Sequence, residues 1–283
     1  MELYNDMIQT HALGYSDFMY GGVDLAQYFN GFTVSRSVMS PVAVEELTIP
    51  GRDGALLNGY RHEPLVITVS GALNGHDREL VEAIRQRLAL LLSPRAKFAN
   101  TPFIPDDTTP LKKLYLGEKS SVARLSNHYI VYDAMVRGEI TIDRQYGFPH
   151  VSIDFYIPDG YGYDNSYTYT TFSSEGLYED IEVSGNFPTY PKIEVLTRTS
   201  SDLVITNTTT NVTKYIKTSN TSTGIYIDCE NEVALSSLNY LPQYVVPVAF
   251  DIGSDFFPLY PFVQNKIRIA GGTVKMWYKE RYA

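Results

Sequence analysis

Apolar side chains along this chain recur mostly at every second position, and once at helical spacing. Leu65, Ile67 and Val69 alternate with Val66, Thr68 and Ser70, and Val151, Ile153, Phe155 and Ile157 alternate with Ser152, Asp154 and Tyr156 up to Pro158. Such alternation predicts strands with one buried face. Tyr129 to Arg144 reads as a long alternating strand, with Ile130, Tyr132, Ala134, Val136, Ile140 and Ile142 on one face and Gly138 at a bulge or bend. Between these lies a predicted helix over Asp77–Leu92. Asn74-Gly75-His76-Asp77 offers turn and capping oxygens, and Glu79 and Glu82 suit the positive end of the helix. Its apolar stripe is Leu80, Ile84, Leu88 and Leu91, widened by Val81 and Leu92, and Ser93-Pro94 stops it.

Beyond Pro158-Asp159-Gly160 the pattern changes to short strands separated by Thr-, Ser- and Asn-rich turns, with no helical period. Strands are expected near Pro191–Thr197, Leu203–Asn207, Thr213–Thr218, Gly224–Glu230, Glu232–Ser236, Asn265–Ala270 and Thr273–Lys279. The aromatic stretch from Ile157 to Phe187 has weak periodicity and reads as a linker plus an irregular first strand. The expected organisation is therefore mainly β. Residues 1–158 form an α+β domain, a sandwich or partial barrel with one helix, and residues 159–283 form an antiparallel β-sandwich.

With 283 residues, either half is long enough to bury its own core, and a single cysteine excludes an internal disulfide framework. Charged residues make up 19%, while Tyr and Phe number 23 and 13, a balance suited to large protein–protein surfaces. Net charge is −9, and both halves are acidic: 14 basic against 18 acidic residues before position 159, and 9 against 14 after it. Sequence-independent DNA binding, which neutralises phosphates with Lys and Arg, is therefore not expected. The opening Met1-Glu2-Leu3-Tyr4-Asn5-Asp6 lacks signal-peptide character, and the longest apolar run, Leu88 to Leu92, is far below the ~20 residues of a membrane span. A soluble protein made in a cytoplasm is the expectation, with no membrane partner.

The chemistry-bearing residues do not assemble into a site along the sequence. His11, His62, His76, His128 and His150 are scattered, without metal-ligand spacing. Cys229 shares a strand face with Ile225 and Ile227 and is expected to be a core thiol. Glu45-Glu46, Asp106-Asp107 and Glu179-Asp180 are adjacent, so on a strand each pair points to opposite faces and cannot act together. No nucleophile elbow, phosphate loop or dinucleotide fingerprint occurs. No catalytic residue, metal or cofactor is expected. Asn207, Asn211 and Asn220 begin glycosylation-like triplets that read more simply as hairpin turns. Trp277, the single tryptophan, is either a core residue or, with an exposed aromatic such as Tyr226, a platform for a sugar.

One segment joins two apolar stretches through Pro50-Gly51-Arg52-Asp53-Gly54, a hairpin loop in which glycine permits positive φ. Here the chain resembles the distal tail (Dit) proteins of long-tailed, non-contractile bacteriophages. The likeness is carried in order by Phe18-Met19-Tyr20-Gly21-Gly22-Val23-Asp24-Leu25 with Tyr28-Phe29, by the Pro50–Gly54 loop, and by Ile227-Asp228-Cys229. It continues through Ser254-Asp255-Phe256-Phe257-Pro258-Leu259, Asn265-Lys266-Ile267-Arg268-Ile269 and the closing Trp277-Tyr278-Lys279-Glu280-Arg281-Tyr282. Two turns depart from the family pattern: Gly21-Gly22 replaces Asn-Gly, and Phe262-Val263-Gln264 stands where a glycine is common.

The resemblance implies a tail-tube-like N-terminal domain that forms a hexameric ring around the DNA channel, and a galectin-like C-terminal sandwich outside it. It implies a place in the virion at the tail tip, between the tail tube protein and a tail-associated lysin or tail fibre hub. In some phages the C-terminal domains hold receptor-binding proteins. Genomic DNA would pass without specific binding, which an acidic chain favours. Pro50, Gly51, Arg52, Asp53 and Gly54 are then candidates for the subunit interface, and Tyr129–Arg144 for the ring wall. The alternative is a carbohydrate-binding module for host cell-wall polysaccharide, using Trp277 and Tyr226.

Overall fold

The computed structural model describes residues 17–50, 52–75, 77–94, 110–119, 129–145, 148–172, 178–199, 202–217, 225–237, 245–247 and 256–282. They form two compact units divided between Gly162 and Tyr163.

The first unit contains β1 (Met19–Tyr20), β2 (Val23–Asp24), β3 (Phe29–Arg36), β4 (Val42–Thr48), β5 (Ala55–His62), β6 (Leu65–Leu73), α1 (Arg78–Leu92), β7 (Lys112–Lys119), β8 (Tyr129–Arg137), β9 (Ile142–Gln145) and β10 (Phe148–Ile157). Its main sheet runs in the order β2-β1-β7-β8-β10-β6-β3, with β9 also on β10. The alternation seen in the sequence becomes its core: Leu65, Ile67, Val69, Val151, Ile153, Phe155 and Ile157 are all buried. Phe155 is ringed by Tyr20 and Phe18 at centroid distances of 5.1 and 5.9 Å. Burial pushes the Tyr20 phenol up to about 12, and its hydroxyl donates to the Ala134 carbonyl at 3.3 Å.

The expected Tyr129–Arg144 strand is split. Arg137 opposes Asp154 and Ile142 opposes Val151, so the segment between Arg137 and Ile142 loops out of the ladder along β10. Gly138 opens that bulge at φ +80. A second bulge lies between Phe29 and Phe32 on β3, opposite Gly71. There a Cβ on Gly71 would sit 2.3 Å from the Gly31 carbonyl oxygen, so only glycine allows the two strands to approach.

Helix α1 starts as expected, with the Asp77 carboxylate accepting from the Leu80 amide at 2.7 Å. Its buried stripe is Val81, Ile84, Leu88, Leu91 and Leu92, whereas Leu80 is 38% exposed. The prediction of Leu80 at the head of the stripe is corrected: a residue three before Ile84 faces inward here, and Leu80 falls on the neighbouring side. Lys112 of β7 closes the other end, donating to the carbonyls of Leu91 at 3.2 Å and Ser93 at 2.7 Å.

β11 (Gly162–Asp164) spans the division, and the second unit contains β12 (Thr168–Phe172), β13 (Tyr178–Glu182), β14 (Lys192–Arg198), β15 (Asp202–Asn207), β16 (Val212–Lys217), β17 (Ile225–Asp228), β18 (Val233–Ser237), β19 (Val245–Pro247), β20 (Gln264–Ala270), β21 (Gly272–Tyr278) and β22 (Arg281–Tyr282). Two antiparallel sheets, β12-β21-β14-β17-β18-β19 and β13-β20-β15-β16, enclose one core that includes Ile193, Ile205, Ile227, Ile267 and Met276. The mainly β class with a single helix, α+β first and sandwich second, is the fold observed. Cys229 lies in this core, 2% exposed. Asn207 is fully buried, its carboxamide oxygen accepting from the Thr209 and Thr210 amides to close the β15–β16 turn. Asn220 lies outside the described residues.

The stretch from Ile157 to Phe187 is not a linker. It supplies β12 and β13, which pair with β21 and β20 about a hundred positions further on. Both need partners from the end of the chain, so a local reading misses them.

Candidate functional site

Among the described residues no group of three or more His, Cys, Asp or Glu side chains could hold a metal ion. His62 and His150 are exposed on separate strands, and His11, His76 and His128 lie outside the described residues. Glu45 and Glu46 sit at a bulge in β4, and Glu179 and Asp180 are exposed on β13, where Asp180 alone of the four lines a shallow pocket with Tyr178, Thr208 and Lys266. Asp106 and Asp107 lie outside the described residues. Two surfaces remain that the fold builds with care.

The first is a ribbon. Strands β4 and β5 pair with each other and with no other strand among the described residues. They prolong the β3/β6 ladder, which ends at Arg36 opposite Ile67, and resume with Val42 opposite His62. The register puts Val42, Val44, Leu57 and Tyr60 on one face, and they are 37%, 54%, 68% and 68% exposed. An apolar row of this kind on a two-stranded ribbon is unusual for a surface left in water.

The root of the ribbon is held tightly. Ser40, fully buried, donates through its hydroxyl to the Gly160 carbonyl, and the Glu63 amide donates to the Pro41 carbonyl at 2.7 Å. Gly160 has φ +74, and a Cβ on it would lie 2.7 Å from the Glu63 carbonyl oxygen. The sequence-predicted Pro50, Arg52, Asp53 and Gly54 form the exposed tip. There the Arg52 amide donates to the Ile49 carbonyl at 3.2 Å and Gly54 has φ +80. Gly51 lies outside the described residues.

The second surface is the outer face of the six-stranded sheet. On β21, Val274, Met276 and Tyr278 turn into the core while Thr273, Lys275 and Trp277 turn away from it. Trp277 is thus half-exposed, and the core reading offered for it is corrected. Its shared period with Thr273 and Lys275 was the available signal. Register aligns Tyr169, Trp277, Lys192 and Asp228 in one row across four strands, and Thr171, Lys275, Glu194 and Tyr226 in the next. Trp277 and Tyr226 meet at a centroid distance of 5.7 Å with planes tilted by 46°.

Lys275 stands over the Tyr169 ring at 5.1 Å, and Lys192 pairs with Asp228 at 3.4 Å. Tyr167 is near enough to Lys192 and Tyr226 to influence both. Burial pushes the Tyr226 phenol upward, with Lys192 opposing, so the hydroxyl keeps its proton at neutral pH. Tyr167, Tyr169 and Lys192 were missed because the first two lie in the stretch read as linker.

Residues 23–157 match the family described as the phage tail protein RIFT-related domain. No curated protein matches the chain by sequence. Among solved structures, the Dit (gp 19.1) protein of phage SPP1, described as a paradigm of the hub adsorption apparatus in phages infecting Gram-positive hosts, superposes with a TM-score of 0.68. It is 16% identical, over 94% of this chain and 99% of that one. The phage P2 baseplate in its activated conformation with Ca gives a TM-score of 0.40 at 8% identity, over 89% and 91%, too low to argue from. Residues 23–157 are therefore similar to a phage tail protein domain, and the chain shares the fold of the SPP1 Dit protein over 94% of its length. The resemblance drawn from the sequence stands.

Proposed function

We propose that this chain, whose residues 23–157 match the phage tail protein RIFT-related domain, is a structural subunit of a siphophage tail tip. Six copies close into a ring around the DNA channel and join the tail tube protein to the tail-associated lysin or fibre hub. The second unit is available on the outside of the ring for receptor-binding proteins. The reading assigns the chain no catalysis.

The observation that supports assembly is the β4–β5 ribbon. A hairpin anchored at its root, with Val44, Leu57 and Tyr60 exposed along one face, gains by laying that face on a neighbouring subunit. The Arg52-Asp53 tip would then reach furthest into the neighbour. A head-to-tail contact of this kind generates a closed ring when the rotation per subunit divides a full turn. The number six comes from the resemblance to distal tail proteins. Net charge −9 suits a lumen through which DNA slides without sticking.

The test is the native mass of the full chain over a concentration series, with negative-stain images of the largest species. Six-fold rings are expected. A Val44→Asp, Leu57→Asp double variant should remain monomeric with an unchanged thermal midpoint, since both side chains are exposed. Rings that persist in that variant would remove the ribbon from the interface. Species of other symmetry would overturn the hexamer.

A further inference from the structure

The chain contains three Asn-Gly dipeptides, Asn30-Gly31, Asn58-Gly59 and Asn74-Gly75, and the fold treats them differently. We propose that Asn58 is a site of covalent self-modification, losing its side-chain amide through a cyclic imide formed with the backbone nitrogen of Gly59. The Gly59 nitrogen gives up its proton and attacks the side-chain carbonyl carbon of Asn58. The new C–N bond closes a five-membered ring, and the carboxamide nitrogen leaves as ammonia. Water then opens either carbonyl of the ring. One opening leaves aspartate, and the other leaves isoaspartate, with one more methylene in the backbone. Water is the only co-reactant.

Three features select Asn58. First, it is the extra residue of the bulge between β4 and β5. Glu45 opposes Gly59 and Glu46 opposes Leu57, so Asn58 has no partner across the ladder. Second, Asn58 is exposed, no hydrogen bond holds its carboxamide among the described residues, and Gly59 has no Cβ to obstruct ring closure. A two-stranded ribbon also opens more readily than strands within a wide sheet, which lets the backbone reach the geometry of attack. Third, a base is at hand. A carboxylate oxygen of Glu45 lies 3.8 Å from where a Cβ on Gly59 would stand, and it has no ion pair among the described residues. It is beside the peptide whose proton must be removed.

The other two dipeptides lack this combination. The Gly75 amide is engaged, donating to the Leu73 carbonyl at 2.9 Å, and Gly75 is buried. Asn30-Gly31 also lies at a bulge, but the Gly31 carbonyl oxygen is wedged 2.3 Å from where a Cβ on Gly71 would stand. No base adjoins it either, since nothing lies within 4 Å of the Cβ position of Gly31.

The product changes the ribbon. A carboxylate at position 58 joins those of Glu45 and Glu46 across the ladder, where like charges are destabilising. On the proposed reading that the ribbon face meets a neighbouring subunit, a chain left unassembled acquires a charge next to Leu57 and loses its competence to close a ring. The modification itself does not depend on that reading.

The full chain is incubated at mildly alkaline pH, folded and in urea, and each dipeptide is followed by peptide mass spectrometry. In urea the three should react at similar rates, because only the dipeptide remains. In the folded chain Asn58 should react at least about tenfold faster than Asn30 and Asn74, equivalent to about 1.4 kcal/mol of barrier. Glu45→Gln should slow Asn58 severalfold in the folded chain, short of the ~10²-fold supplied by a positioned enzymic base, and should have no effect in urea. The proposal falls if Asn58 stays intact in the folded chain while reacting in urea, or if Asn30 or Asn74 keeps pace with it. An unchanged rate in Glu45→Gln would remove Glu45 from the reaction. Asn58→Asp separates the consequence from its premise, and should stay monomeric where the parent forms rings. Rings from both chains would overturn the loss of competence, whereas a parent that forms no rings would overturn the ring reading and leave the modification standing.

Discussion

The hydroxyl of Ser40 donates to the carbonyl of Gly160, tying the root of the β4–β5 ribbon to the turn that follows β10. The two residues are 120 positions apart and both are buried, so the bond is a tertiary clamp on an otherwise exposed element. The ribbon's apolar row can be presented to a neighbour only if its root does not swing.

Ser40→Ala leaves the Gly160 carbonyl without this donor in a buried site, which costs about 1–3 kcal/mol. The expected result is a lower thermal midpoint and faster amide exchange throughout β4 and β5. Gly160→Ala should be worse, because φ is +74 and the new Cβ would lie 2.7 Å from the Glu63 carbonyl oxygen. Exchange rates in the ribbon unchanged by both variants would remove the clamp.

Phe262 occupies the turn that precedes β20, and it adopts φ +62. It is 83% exposed, so its ring contributes little burial to offset that backbone. Asn265 imposes the turn, accepting from the Tyr260 amide at 2.9 Å and donating to the Tyr260 carbonyl at 2.8 Å. Phe262→Gly should therefore stabilise the chain by about 1 kcal/mol, read as a higher denaturation midpoint. A loss of stability would contradict the strain.

Helix α1 is capped from within and from outside. Asp77→Ala removes the N-terminal cap and should cost about 1 kcal/mol. Lys112→Met removes a charged donor from the Leu91 and Ser93 carbonyls and should cost a similar amount, about 1–2 kcal/mol. Since the two ends are far apart, the double variant should show the sum, measured by urea denaturation.

Glu280 gives the second unit a pH dependence. Burial pushes its carboxyl above the ordinary value of 4.5, against the Gly185 and Ser184 amides that donate to it, while Asp164 adds to the rise. An acid with a raised folded pKa binds its proton more tightly when folded, so its contribution is present below pH 4.5 and is lost as pH rises through the folded value. Glu280→Gln keeps an oxygen for the Gly185 amide, now bonded at 2.8 Å, and removes the buried charge. Denaturation at pH 7 and at pH 4.5 should show the variant gaining stability relative to the parent at the higher pH. Glu82, held near 2 chiefly by its hydrogen bond to Arg85, acts in the opposite sense, but it is fully exposed and screened. An equal shift at both pH values would dismiss the Glu280 account.

Much of the architecture was legible along the chain, and the reason is local. Alternation in β6, β10, β14, β20 and β21 and the single helical stripe each follow from a period of two or 3.6 residues, which needs no knowledge of partners. Cys229 in the core follows from the same arithmetic, and the turn at Asn207 was legible in its Asn-Thr-Thr triplet.

What the period does not say is which face is covered, or by what. Trp277 alternates with Met276 whichever of them is buried, and only the position of the second sheet decided that Trp277 looks outward beside Tyr226. Strands β12 and β13 exist because β21 and β20 return from the far end of the chain to pair with them. The ribbon reads in sequence as an ordinary hairpin, and its exposure was decided by the rest of the unit, whose sheet ends at β3 and β6 and leaves β4 and β5 beyond it. Sequence by itself determined the elements, since these answer to neighbours within a few residues. The tertiary structure decided which surfaces remained for partners, since burial is a property of the assembled layers and not of any one strand.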